Sequence, residues 1–267
     1  MRSAGAQDRA RIARALAYPY HRPLAPYVFT GGRALPWCAR NLERCRSADL
    51  TPVLAVGSNA APEQLARKFG RAPTVVIPVT TGRLQDHDVV FAAYMTAYGS
   101  LPATLISCPG CVVDTAITWL DQEALSLMHQ TESVGAQTVF GQLEGLTLQG
   151  AVSTGPANQV VDHAYTYRSC LGELAVAGRP VALWELGASD RPEPALTQQG
   201  LQRRLRRWME PERLAGGTPA AESFAEWVLL NTGSADRREQ ITRWLQRHRI
   251  QTELPAFSPV SIARGSE

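Results

Sequence analysis

Val53-Leu54-Ala55-Val56-Gly57-Ser58-Asn59 decides the fold: an apolar strand runs straight into a Gly-Ser-Asn turn. Pro62 then opens a short helix over Glu63 to Phe69, proline being preorganised for a first helical position. Further along, Leu120-Asp121 leads into a helical stretch through Met128, followed by Thr131-Glu132. A strand–turn–helix start aims backbone amides at one spot, and the later helix delivers one carboxylate. Together they can build an acyl-transfer site.

Working outward, the pattern predicts strands over Val53–Val56, Val75–Val79, Val89–Tyr94, Ala103–Ser107 and Val112–Trp119. Turn signals at Thr81-Gly82, Tyr98-Gly99-Ser100 and Cys108-Pro109-Gly110 separate them. A helix over Asp121–His129 interrupts the run, and strands resume at Thr138–Leu143, Ala164–Arg168 and Val181–Leu186. Beyond the proline-rich Arg191–Pro194, helices are expected over Leu201–Met209, Ala221–Leu230 and Arg238–Arg249. Upstream, Gln7–Leu16 reads as an arginine-rich helix and Ala17–Leu35, punctuated by Pro23, Pro26, Gly31 and Gly32, as an irregular wrap. The expected fold class is α+β. It comprises an N-terminal arm (1–50) packed on the core, a small mixed β-barrel with short flanking helices (51–190) and a C-terminal helical extension (191–267).

At 267 residues, with 45% hydrophobic and 19% charged residues, the chain can bury a full core. Its longest apolar runs, such as Val112–Leu120, are too short to span a bilayer. The N-terminal arginines are not followed by an apolar segment of signal-peptide length. Five cysteines in no regular framework fit reduced thiols and a cytoplasmic protein. The net charge of +3 is unevenly spread: +6 over residues 1–50, −5 over 51–185 and +2 over 186–267. Arg203, Arg204, Arg206 and Arg207 come closest to a basic stripe. Leu201, Leu205, Trp208 and Met209 mark the opposite face of that helix, so the arginines read as its solvated side and not as a nucleic-acid surface. Lys68 is the sole lysine. Cys108-x-x-Cys111 has no second pair at ligand spacing, no histidine pair stands at zinc spacing, and no glycine-rich loop carries a phosphate-binding lysine. Neither metal nor cofactor is expected.

The middle of the chain, roughly residues 51–185, resembles the gamma-glutamylcyclotransferase-like superfamily. That family opens with a strand ending in Tyr-Gly-Ser-Asn, whose place is taken here by Val56-Gly57-Ser58-Asn59. Gly82-Arg83-Leu84 to Val89-Val90-Phe91, then Ala103-Thr104-Leu105, Pro109-Gly110 and Val112–Trp119, follow in the family's order, and Leu120-Asp121 through Glu132 is similar to its closing helix. The resemblance implies cleavage of a γ-glutamyl compound by attack of its own α-amine on the γ-carbonyl, releasing 5-oxoproline. In that reading Glu132 is the catalytic proton carrier, partly buried so as to act near neutrality. Val56, Gly57, Ser58, Asn59 and Tyr165 bind the substrate, and the partner is a small γ-glutamyl molecule, not a membrane.

Blander readings stand beside these. Gly57-Ser58-Asn59 also suits a simple turn before a helix, Glu132 a surface residue after one, and His129 a half-exposed helix histidine. Tyr165 and Tyr167 sit in a strand type that is rich in tyrosine anyway. Two departures from the family pattern matter. Val56 replaces the tyrosine, and Ser133 follows the acid where glycine is common. The alternative is therefore a non-catalytic binding or scaffold protein on the same fold.

Overall fold

The computed structural model describes residues 5–43, 49–70, 74–156, 160–215 and 223–262. The arm begins with helix α1 (Ala6–Leu16). Strands β1 (Tyr27–Thr30) and β2 (Arg33–Pro36) then pair antiparallel around Gly31-Gly32, whose φ angles are +56° and +76°. Two consecutive left-handed residues match the twist of the flanking strands, so this is a tight hairpin, where the sequence pattern predicted an irregular wrap. β1 buries all four of its residues and continues the pairing onto the core strand described below, from Tyr27↔Val79 to Thr30↔Val76. A one-turn helix α2 (Ala39–Leu42) follows.

The core starts with β3 (Thr51–Leu54), a 3-10 turn over Ser58–Ala60 and α3 (Pro62–Phe69), with Pro62 in the first turn. Two long strands dominate: β4 (Val76–Phe91) and β5 (Ala103–Leu120), paired antiparallel from Val79↔Thr118 to Phe91↔Ala103. Each was expected as two shorter strands. The expected turn at Thr81-Gly82 runs through the ladder in register, as Thr81↔Ala116 and Gly82↔Thr115, while the one expected at Pro109-Gly110 lies opposite Asp86 at a register shift between Gln85 and His87. There Asp86 (φ +58°) and Gly110 (φ +83°) take left-handed conformations, and the Gly110 amide donates to Asp86 Oδ1 at 2.8 Å. The bulge absorbs the proline and glycine without ending the ladder.

Helix α4 (Gln122–Thr131) is capped by Asp121, whose Oδ1 accepts from the Ala124 amide at 2.8 Å. Next come β6 (Thr138–Leu143), β7 (Leu148–Gly150), β8 (Ala164–Ser169), β9 (Glu173–Val176), β10 (Arg179–Pro180), β11 (Ala182–Leu183), β12 (Ala188–Ser189) and β13 (Ala195–Leu196). The chain ends in α5 (Gln198–Ala215), α6 (Phe224–Gly233), α7 (Ala235–Arg247), β14 (Arg249–Ile250) and β15 (Phe257–Pro259). The expected start of α6 at Ala221 lies outside the described residues.

The result is a mixed α+β fold on a large, mostly antiparallel sheet of order β13-β11-β4-β5-β3-β8-β6-β15. β3–β8 and β11–β13 are its parallel pairs. Among the described residues the sheet does not close. The short strand β15 occupies the free edge of β6, and β11 takes up pairing on β4. Those edges meet caps of two and three residues and not each other, where a closed barrel was expected. One core cluster joins Leu84, Phe91, Leu105 and Trp119 of the sheet to Leu201, Leu205, Trp227, Trp244 and Leu245 of the C-terminal helices, with Trp208 and Phe224 partly buried against it. A second joins Phe29, Leu65, Ile77, Leu120, Met128 and Phe140, seating α3 and α4 together on the other side. On α5, Arg203, Arg204 and Arg207 are exposed opposite the buried Leu201 and Leu205. That is the amphipathic division the sequence predicts.

Candidate functional site

The apolar strand β3 carries the chain through the core, and its continuation at Val56-Gly57-Ser58-Asn59 reaches one wall of a cavity of about 270 Å³. Among the described residues, no other element accepts a hydrogen bond from the amides of Gly57, Ser58 or Asn59. Gly57 has a packing reason as well: a Cβ there would run into the Tyr18 hydroxyl.

Glu132 faces this wall from the C-terminal end of α4. Its backbone is fixed from two sides. The amide reaches His129 O at 3.3 Å, and the carbonyl accepts from Thr138 Oγ1 at 2.7 Å. Its Oε1 accepts from Asn59 Nδ2 at 3.1 Å and forms an ion pair with Lys68 Nζ. Lys68 leaves the last turn of α3, where a cation suits the helix dipole, and its ammonium also lies 3.3 Å from Met128 Sδ. The Lys68 side chain is 6% exposed and that of Glu132 is 18%. The pair supplies the counter-charge that a nearly buried ammonium needs. Ser133, the next residue, has φ +51°, a conformation glycine takes without cost.

Tyr18, Tyr94, Tyr98 and Tyr167 also line the cavity. Burial pushes all four phenols up, so they stand as neutral hydroxyls that donate and accept. The Tyr18 hydroxyl accepts from the Ala103 amide at 2.8 Å. The Tyr167 hydroxyl meets His129 Nδ1 at 2.8 Å, and burial lowers the histidine's pKa. A neutral imidazole accepting at Nδ1 accounts for both observations. His129 is partly buried beside the cavity and does not line it.

Four of the five predicted binding residues, Val56, Gly57, Ser58 and Asn59, thus share one cavity with Glu132. Tyr165 does not line it. It lies on the same face of β8 as Tyr167, but two residues or ~6.6 Å along the strand, stacked on Phe140 at 5.2 Å between ring centroids. Tyr167 occupies the place expected for it. Sequence reasoning missed Lys68 and the tyrosines of the arm and of the β4–β5 connection. Being the sole lysine of an arginine-rich chain was the available signal for Lys68. Nothing local marks Tyr18.

Cys108 and Cys111 are buried and free. Burial, with the nearby Asp88 carboxylate, raises both thiols, Cys111 to about 12, the setting of an inert pair. Among the described residues no three His, Cys, Asp or Glu side chains are grouped to hold a metal, and no helix is long and apolar enough to cross a membrane.

The arrangement offers a positioned carboxylate for proton transfer, an ammonium beside it, and turn amides and neutral phenols able to hold an anionic group or a developing oxyanion. Comparison of the sequence with family models and with curated proteins finds no match. Among solved structures the chain is similar to one described as "Gamma-glutamyl cyclotransferase", at 13% identity and a TM-score of 0.35, the match covering 73% of this chain and 99% of that one.

Proposed function

We propose that the protein is a gamma-glutamylcyclotransferase-like enzyme that cleaves a γ-glutamyl peptide or amide by intramolecular cyclisation. One observation carries the reading: Glu132 and the Gly57-Ser58-Asn59 turn line the same small cavity. The substrate's α-carboxylate rests on the turn amides, which bends its α-amine toward the γ-carbonyl. The amine nitrogen attacks that carbon, and the C–N bond to the leaving amine breaks. Glu132 takes the proton from the attacking nitrogen and returns it to the departing one, so no external reactant is consumed. Because nucleophile and electrophile belong to one molecule, the protein's work is conformational selection, proton transfer and charge stabilisation.

In this reading residues 51–190 carry the chemistry, the 191–267 extension buttresses the sheet, and the 1–50 arm contributes Tyr18 to the cavity. The two free, buried thiols suit a cytoplasmic setting. Binding without turnover is the second reading, favoured by the engagement of Glu132 with Lys68 and Asn59. Incubation with a panel of γ-glutamyl dipeptides and γ-glutamyl amines, read out as 5-oxoproline, separates the two. Release from at least one compound is expected. Saturable binding of the panel with no 5-oxoproline would make the binding reading correct.

A further inference from the structure

A second and larger cleft, of about 780 Å³, lies between residues 17–24 of the arm and the sheet. It is lined by Arg22, Leu24, Arg83, Asp114 and Trp184, with Glu185 beside them. The two acids are already engaged. Asp114 pairs with Arg83 at 3.6 Å, and Glu185 Oε1 accepts from the Gln198 amide at 2.9 Å. Arg83 is further held by Val112 O at 3.1 Å and Ser189 Oγ at 2.7 Å.

Arg22 is different. Among the described residues no carboxylate forms an ion pair with it, and its hydrogen-bond partner is Ala55 O at 3.5 Å, at the limit of a useful contact. Burial pulls its pKa down, with the Asp114 carboxylate opposing. Arg22 is half-buried, and a guanidinium so placed with most of its donors unspent favours an anionic partner. At the mouth stand two large apolar side chains that the fold leaves in water: Leu24, 92% exposed, and Trp184, 64% exposed. Leu24 is held there through its carbonyl, which accepts from Thr81 Oγ1 at 2.7 Å.

We infer that this cleft binds a small anion with a flat apolar body, its carboxylate or phosphate on Arg22 and its ring against Trp184 and Leu24. The planar guanidinium suits a bidentate oxyanion of either kind, and an indole face suits a ring.

The test is isothermal titration of the full chain with inorganic phosphate, 3-phenylpropionate and adenosine monophosphate. At least one ring-bearing probe should bind saturably and more tightly than phosphate, and its identity reports whether the head is carboxylate or phosphate. Arg22→Gln should weaken that probe about 10–100-fold, the loss of a charge-assisted contact. Trp184→Ala, a surface change that leaves the core intact, should weaken it about 2–10-fold while phosphate is unaffected. Glu132→Gln should leave it unchanged, which separates this cleft from the Glu132 cavity. Failure of both ring-bearing probes to saturate overturns the inference. So does unchanged affinity in Trp184→Ala, or loss of binding in Glu132→Gln.

Discussion

Lys68 and Glu132, 64 residues apart in the chain, become one unit in the fold. Met128 Sδ lies beside the ammonium, Asn59 donates to the carboxylate, and little water reaches the ammonium. Lys68→Met would leave a carboxylate in a largely enclosed wall without its counter-ion. Stability should fall by about 1–3 kcal/mol, less than the loss for a fully buried pair because Glu132 keeps some exposure. Denaturant midpoints measure this, and an unchanged midpoint would show that the pair does not stabilise the fold. His129 gives a pH signature. Burial lowers its folded pKa below its unfolded value of 6.5, so the unfolded chain takes up the proton first. The His129 contribution is complete above pH 6.5 and is lost as pH falls below it. Melting temperature should therefore drop on acidification through that range, and more weakly in His129→Gln. Equal pH profiles for the two proteins would exclude the assignment.

Elements deliver these residues to the cavity, and α4 is the critical one because Glu132 sits at its end. Its N-terminus depends on Asp121, whose carboxylate accepts from the Ala124 amide. Asp121→Ala should cost about 1 kcal/mol of stability, read by thermal or urea unfolding, and a stability equal to wild type would show the cap to be dispensable. The strong local signals were legible in the sequence. Thr138–Leu143 forms β6 with the predicted limits. Leu201, Leu205 and Met209 recur on one buried face of α5. What was not legible has a common cause: a local signal admitting two outcomes. Pro109-Gly110 reads equally well as the end of a hairpin or as a bulge, and the partner residue Asp86 decides. Gly31-Gly32 reads as a loop until Tyr27–Thr30 finds the edge of β4. Tyr18 belongs to the site through contacts with Gly57 and Ala103, which no spacing rule anticipates.

At the scale of the molecule, the arm and the 51–190 core meet around two cavities that share the 17–24 segment as a partition: Tyr18 faces the smaller, Arg22 the larger. The sheet edges are covered by short strands and not joined, so the order β13-β11-β4-β5-β3-β8-β6-β15 stays open while its faces are packed. The Gly57–Asn59 turn and Glu132 come from distant parts of the chain, brought together because β3 pairs centrally with β5 while α3 packs beside α4. The account's central claim is that Glu132 carries the proton between the two nitrogens of a γ-glutamyl substrate. Its most direct test compares 5-oxoproline release and ligand affinity in wild type and Glu132→Gln. Turnover should fall by about 10²–10⁴-fold, the range for a lost general acid–base, while affinity for 5-oxoproline changes little because the amides that hold its carboxylate remain. A Glu132→Gln variant as active as an active wild type would contradict it.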